Sequence, residues 1–429
     1  MCCLVAACDE RRAPPKPDSS VASPAPLNRP AQAQETPASE PVEKRKIVAP
    51  SGLPIYEIAI KPEHLRALEN DYGSNQTYPA SLRAEGDEYP SVQIRYRGQW
   101  ARTWPKKPLK IFFERNKPFH GHHSVNLNSG WRDPAFVREA LAYHVFAACG
   151  VTASRSRMVQ VNMNGRFRGV YVEVEQVDKT LLKHFGLQGA SLFKSGSSNQ
   201  ADERDVRSEE LVARVYTDEA GKTNSLAQLS EFCADLAATT NVAEFFAQRV
   251  DLTHYINYLA ACVLTQHWDG LNKNHYLVYD ERHSAKWSVI PWDLDRTFGD
   301  HWNQTFGRAN VPILLGTHAY RGPTGWNRLE EQFFSEEALR DRFFTRLREL
   351  LESEFTTEKL FPLIDGWEQQ LAAAAALDRE RWPSPAGDFH AGITGLKQFI
   401  RDRRSFLKTS LLSFSEQIPA RPSAASFGR

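Results

Sequence analysis

His267-Trp268-Asp269-Gly270-Leu271-Asn272-Lys273-Asn274 follows directly on an apolar helical stretch at 252–266 and sets Asp269 and Asn274 five positions apart. This is an H-x-D-x-x-x-x-N loop. In such a loop the aspartate can take up the proton of an acceptor hydroxyl, and the asparagine oxygen can bind a metal that holds phosphates. Asp and Asn also populate turns and cap helices for local reasons, so the motif gains meaning only from its surroundings.

A strand pair, 275–279 and 286–290, comes next. It delivers Pro291-Trp292-Asp293-Leu294-Asp295-Arg296-Thr297-Phe298-Gly299, with Asp293 nineteen residues after Asn274. Carboxylates at a strand end can hold Mg²⁺, which takes oxygen ligands and keeps waters and substrate phosphates in its shell. With Asn274, Asp293 and Asp295 form the candidate metal set. The competing reading is that both aspartates cap the following turn. Catalytic loop, hairpin and metal carboxylates in that order point to phosphoryl transfer of the protein-kinase type.

Upstream the chain reads as strands. Ile55, Ile58 and Ile60 mark a first strand, and Pro62 opens a short helix. The segments 78–84 and 91–97 flank Glu85-Gly86-Asp87, with Val92, Ile94 and Tyr96 alternating against polar neighbours. Arg95-Tyr96-Arg97-Gly98 and Pro105-Lys106-Lys107-Pro108-Leu109-Lys110-Ile111 place cations here, as a nucleotide's charge requires. Lys110 lies within an apolar strand, 109–113, where it can meet phosphate, and Lys107 is its rival. A basic stretch with Trp100, Arg102, Trp104, Lys106 and Lys107 could instead touch single-stranded nucleic acid, or form a plain solvated edge. Asp133-Pro134 is expected to open a helix that ends at Gly150. That helix carries Glu139, placed in chain order to pair with the strand lysine. Asn164-Gly165 predicts a hairpin over 157–175, and Glu175-Gln176-Val177 is then a hinge whose backbone groups, at Glu175 and Val177, can read a base. Asp178 caps the next short helix, and helical patterns dominate from 225 to 412.

Arg97-Gly98 with Lys106-Lys107, Asn164-Gly165 with Gly169-Val170-Tyr171 and Glu175, Leu192-Phe193-Lys194, and Pro291-Trp292-Asp293 with Phe298-Gly299 together resemble the CotH (spore coat protein H) kinase family over about 250 residues. The resemblance implies an α+β, two-lobed protein-kinase-like fold, with a β-rich N-terminal lobe with one helix (51–177) and a mainly helical C-terminal lobe (178–417). It implies an atypical secreted protein kinase that uses ATP with Mg²⁺ or Mn²⁺ on a protein acceptor. Asp293 falls at its metal position, Asp269 at its catalytic-loop position, and Lys107 or Lys110, with Arg97, at the phosphates. There is no G-x-G-x-x-G loop, Asp-Leu-Asp replaces Asp-Phe-Gly, and no clear Ala-Pro-Glu follows. Two other classes stay open on the residues alone: a metal-dependent D-x-D glycosyltransferase, which favours a parallel α/β sheet, and a catalytically silent surface or coat module.

Composition sets outer bounds. The 429 residues are 41% apolar and 24% charged, enough for one large core or two lobes. Lys and Arg total 53 against 52 acids, so no global field draws the chain to nucleic acid or anionic lipid. Residues 1–8, ending Val5-Ala6-Ala7-Cys8, form a partial lipoprotein-type signal that lacks the basic start and apolar length of a full one. A chance Ala/Cys cluster on a cytosolic protein is the alternative. Residues 9–50 are Pro, Ala and Ser-rich, like a tether. The expectation is an extracytoplasmic, membrane-anchored bacterial lipoprotein that meets the membrane only through its lipid. Cys149, Cys233 and Cys262 have no zinc or disulfide spacing and read as buried thiols. The His120-Gly121-His122-His123 run reads as a solvated loop, 195–222 as a mobile insertion, and 418–429 as a disordered tail.

Overall fold

The structure is a computed structural model that describes residues 52–196, 208–222, 224–271, 273–300, 308–314 and 327–417, with side chains to Leu412. The expected signal, tether and C-terminal tail lie outside the described residues.

Alternating apolar residues build the N-terminal half. In chain order it holds β1 (Ile55–Ile60), α1 (Pro62–Asn70), β2 (Tyr78–Ala84), β3 (Asp87–Tyr96), β4 (Leu109–Phe113), β5 (Ser124–Asn128), α2 (Arg138–Ala148), β6 (Ser156–Met163) and β7 (Arg166–Glu175). The strands close into a barrel in the order β1-β2-β3-β4-β5-β7-β6. All pairs are antiparallel except β1–β6, whose parallel register runs from Ile55↔Gln160 to Ile58↔Met163. Closure leaves no open edge to template aggregation. The interior is filled by one alternate set: Ile58, Ile60, Ile94, Tyr96, Leu109, Ile111, Val125, Leu127, Val159 and Val161. The other set on β3, β4 and β5, namely Arg95, Lys110, Asn126 and Asn128, is left on the outer face.

Local signals explain most boundaries. Asn164 and Gly165 both have positive φ, 51° and 72°, as the tight hairpin turn between β6 and β7 demands. Helix α2 starts at Arg138 rather than at Asp133, because Phe136 has φ 59° and breaks the helical run. Asp133 still caps this entry, accepting from the backbone N–H of Ala135 at 3.0 Å and of Arg138 at 2.9 Å. One element, β5, departs from the sequence reading; the helices expected at 62 and 133 are both present, so the lobe expected with one helix holds two.

The C-terminal half is mixed. It runs α3 (Lys179–His184), β8 (Ser191–Ser195), α4 (Glu209–Val215), β9 (Tyr216–Asp218), α5 (Ser225–Ala238), α6 (Val242–Arg249), α7 (Leu252–Thr265), β10 (His275–Asp280), β11 (Lys286–Pro291), α8 (Arg328–Ser335), α9 (Glu337–Ser353), α10 (Thr357–Arg381) and α11 (Phe389–Gln417). Asp178 caps α3 through Thr180 and Leu181. An antiparallel sheet of order β11-β10-β8-β9 stands among the helices. The expected mobile insertion is therefore corrected for its second part: 208–222 holds α4, capped by Ser208, and β9, which pairs with β8. Two antiparallel-dominated sheets also do not match the parallel sheet of a D-x-D glycosyltransferase.

Buried ties join the halves. Lys106 and Asp378 of α10 form an ion pair at 2.5 Å with both side chains wholly buried. The same Asp378 carboxylate accepts from the Val170 N–H at 2.7 Å. Gly169 makes this possible, since a Cβ there would lie 2.4 Å from the Asp378 carboxylate. Lys106 is thus a structural cation, sandwiched against Phe136 and Tyr171. Cys149, Cys233 and Cys262 are all buried, and burial pushes the Cys149 thiol up to about 12.

Candidate functional site

Between barrel and helices lies a cleft of about 1370 Å³. It brings together seven of the residues singled out from sequence: Arg97, Lys110, Glu139, Asp269, Asn274, Asp293 and Asp295. Lys107, Glu175 and Val177 are absent from its lining.

One wall is cationic and comes from strand register. Arg95 of β3 faces Lys110 of β4, and Lys110 faces Asn126 of β5. This cross-strand row projects from the barrel because the alternate residues fill its interior. The Lys110 ammonium donates to Gln176 Oε1 at 2.8 Å. Burial, then the nearby Arg97 and Arg95, lower its pKa to about 7. Among the described residues no carboxylate reaches ion-pair distance of it, and Glu219 offsets the cations only in part.

The other wall carries the acids, with Lys194, Lys273 and Arg296 among them. Asp269 lies in a short 3-10 turn, Trp268–Leu271, at the end of α7. One of its carboxylate oxygens is 3.2 Å from the Lys273 ammonium, and the other is buried without a hydrogen-bond partner among the described residues. His267 is wholly buried, and burial pushes it down to about 4, so it packs as a neutral ring beneath the loop. The Trp292 N–H donates to the Asn274 carbonyl at 2.9 Å, which splices the catalytic-loop candidate to the Asp293 loop. Asn274 and Asp293 both have positive φ, 56° and 58°, a conformation that Asn and Asp tolerate better than most residues. Such backbone outliers gather where side-chain placement matters.

Glu139 is not paired with a lysine. Its two carboxylate oxygens accept from the Asn128 amide at 2.7 and 2.9 Å, and Arg97 donates to the same Asn128 side chain. Burial, then the charge of Asp293, push the Glu139 carboxyl up to about 8. Asp295 is pushed well above the usual carboxylate range by burial and by Asp293 and Glu139. Three acids thus crowd one end of the cleft without enough positive charge between them. The expected strand-lysine to helix-glutamate pair fails because β5 intervenes between Lys110 and α2. Helix α2 is held instead by Arg138, which donates to the carbonyls of Thr297 and Phe298, each at 2.8 Å.

The hinge assignment needs the same correction. The Glu175 N–H already donates to Arg155 O at 2.9 Å, its carboxylate binds Arg155 and His122, and Val177 is buried in the core. Gln176 between them is the residue that reaches the cleft, where it also accepts from Asn126 at 3.1 Å. Lys107 donates to Trp104 O and lies against Tyr72. His122 is buried rather than solvated, with its ring nitrogens 2.8 Å from Glu175 and 3.7 Å from Asp178, and the two carboxylates raise it to about 9. Arg102, from the basic tryptophan stretch, is used up on the carbonyls of Gly73 and Ser74.

Sequence reasoning missed Asn126, Asn128 and Gln176. The signal for the asparagines was there in Ser124-Val125-Asn126-Leu127-Asn128, a period-2 strand with polar residues on one face.

Hard oxygen donors at Asp293, Asn274 and Asp295, beside acids whose charges repel, fit a divalent cation. Among the described residues no group of three or more His, Cys, Asp or Glu is arranged to hold a metal, so a bound ion would take its remaining ligands from water and phosphate, as Mg²⁺ commonly does.

Fold and site together define a mixed α+β protein, β-barrelled in its first half and mainly helical in its second, with a highly charged cleft between them. The chain belongs to the family described as CotH kinase protein, whose model it matches over residues 94–407. It is 27% identical over 372 residues to inner spore coat protein H of Bacillus subtilis (strain 168), covering 84% of this chain and 98% of that protein. A second relative there, inner spore coat protein H-like protein, is 23% identical over 301 residues, with 69% and 83% covered. Among solved structures the chain is similar to the proinflammatory kinase CtkA of Helicobacter pylori at 10% identity and a TM-score of 0.35, over 72% of this chain and 95% of that one, a likeness too distant to define the fold.

Proposed function

We propose that this chain is an atypical protein kinase of the CotH type, transferring the γ-phosphate of ATP to a Ser, Thr or similar hydroxyl of a protein outside the cytoplasm. The observation that carries this reading is the meeting of charges in the cleft: Arg95, Lys110 and Arg97, just past the end of β3, from the barrel, facing the carboxylates of Asp269, Asp293 and Asp295. Phosphoryl transfer needs little covalent help from the protein. It needs the nucleotide's charge neutralised and the acceptor placed by groups already in position.

Lys110 and Arg97 bind phosphate oxygens, and the Lys110 to Gln176 hydrogen bond holds the ammonium until they arrive. Asp293 and Asn274, with Asp295, would hold a divalent metal, Mg²⁺ or Mn²⁺. That metal supplies neutralisation of the phosphate charge. Asp269 orients the acceptor hydroxyl and takes its proton. Gln176 marks the hinge, where a base is read. Glu139 positions the cation wall through Asn128 and Arg97 rather than through a lysine. Taken with the lipoprotein-like start and tether composition, the reading places the enzyme at a membrane surface outside the cytoplasm.

Incubating the purified protein with γ-labelled ATP and Mg²⁺ or Mn²⁺ tests the proposal. Label is expected on the protein itself or on a generic acceptor. MgATP binding without any transfer would instead favour a catalytically silent module.

A further inference from the structure

One cation in the cleft is left without a role by that reading. Lys194 lies on β8, in the second sheet, directly opposite Tyr276 of β10. It therefore enters the cleft from the C-terminal half, two residues in register from Asn274, while Lys110 enters from the barrel. Its ammonium stands over the rings of Trp292 at 5.6 Å and Tyr276 at 5.9 Å. Among the described residues it has no hydrogen-bond acceptor and no carboxylate at ion-pair distance. Burial, then the charge of Arg97, push it below the usual lysine range despite Glu219 and Asp293.

A half-buried ammonium without a counter-ion is a standing cost to the fold. Ring faces recover only part of it. The position makes physical sense if the counter-ion is delivered by what enters the cleft, and only a polyanion could answer Lys110, Arg97 and Lys194 at once. We propose that Lys194 is a second lysine contact to the nucleotide's phosphate tail, supplied by the C-terminal half, so that the phosphates are gripped from both sheets. The proposal rests on the kinase reading above and adds a residue to it. No proton or bond changes hands at Lys194; its part is a fixed point charge that the phosphates meet.

The test is calorimetric titration of wild type, Lys194→Met, Lys194→Arg and Lys110→Met with MgATP and, separately, with inorganic tripolyphosphate, alongside thermal unfolding of each free protein. Lys194→Met is expected to weaken both ligands roughly 10- to 150-fold, the loss of one charge-assisted contact. Lys194→Arg should keep most of the affinity. Free Lys194→Met should melt no lower than wild type, because it sheds an unneutralised charge. Unchanged binding in Lys194→Met would overturn the inference, and so would a melting temperature well below wild type, which marks a structural lysine. Wild type that binds tripolyphosphate but not MgATP would defeat the nucleotide reading while Lys194→Met still decides the phosphate contact. Wild type that binds neither ligand would defeat both.

Discussion

The Asn128 side-chain amide holds both carboxylate oxygens of Glu139, at 2.7 and 2.9 Å. An uncharged donor therefore occupies the place where a lysine was expected. Glu139 stays buried beside Asp293 with its proton retained to about pH 8. The unfolded chain releases that proton near 4.5, so between these values the folded state binds more protons than the unfolded one. Stability should then be fully present below about pH 4.5 and fall as pH rises toward 8, by on the order of a few kcal/mol. Glu139→Gln should remove that contribution, leaving those of Asp295 and of the shifted histidines, His122 and His267 among them. Urea denaturation at several pH values from 5 to 8 reads this, and parallel profiles for wild type and variant would contradict it.

Lys110 and Lys107 should separate cleanly. Lys110 faces the cleft, whereas Lys107 is turned onto Trp104 O and Tyr72. Lys110→Met is expected to weaken MgATP roughly 10- to 150-fold, and Lys107→Met to leave it near wild type. Calorimetric titration of the two variants checks this, with equal losses counting against the placement of Lys110.

Lys106 and Asp378 should behave as a brace. Asp378→Ala leaves a wholly buried ammonium without its carboxylate and is expected to cost about 3–5 kcal/mol of stability. The double substitution Lys106→Met with Asp378→Leu removes both charges and should recover much of that loss. Denaturant titration of Lys106→Met, Asp378→Leu and their double variant gives the coupling; additive losses would mean the pair does not hold the halves together.

Much of this was legible because the signals were local. Asn164-Gly165 specifies its hairpin, Asp178 its helix cap, and the alternation in 92–96 its strand. The spacing of Asp269, Asn274 and Asp293 located one end of the cleft because a short loop and a tight hairpin leave little freedom between them. Other features depend on contacts far apart in sequence. Closure of the barrel is set by the pairing of 55–58 with 160–163, which no window of residues reveals. Missing β5 misplaced Glu139's partner. Glu175 was read as a hinge from its place in the chain, but His122 and Arg155, distant in sequence, claim its carboxylate. Lys194 carried no periodic signal and lay beside a polar stretch, which hid its position on a buried strand.

The central claim is that Asp293 serves the metal and Asp269 the acceptor, and paired Asp→Asn substitutions test it most directly. Asp293→Asn removes an anionic ligand, so the metal-dependent part of ATP binding should fall together with phosphotransfer. Asp269→Asn should leave MgATP affinity nearly intact while turnover drops about 10²–10⁴-fold, the usual contribution of a general base. Both swaps are nearly isosteric and both sites open to the cleft, so each variant should stay folded. Calorimetric titration with MgATP beside a phosphotransfer assay reads both effects. Full activity in both variants, or an equal loss of MgATP binding in both, would contradict the account.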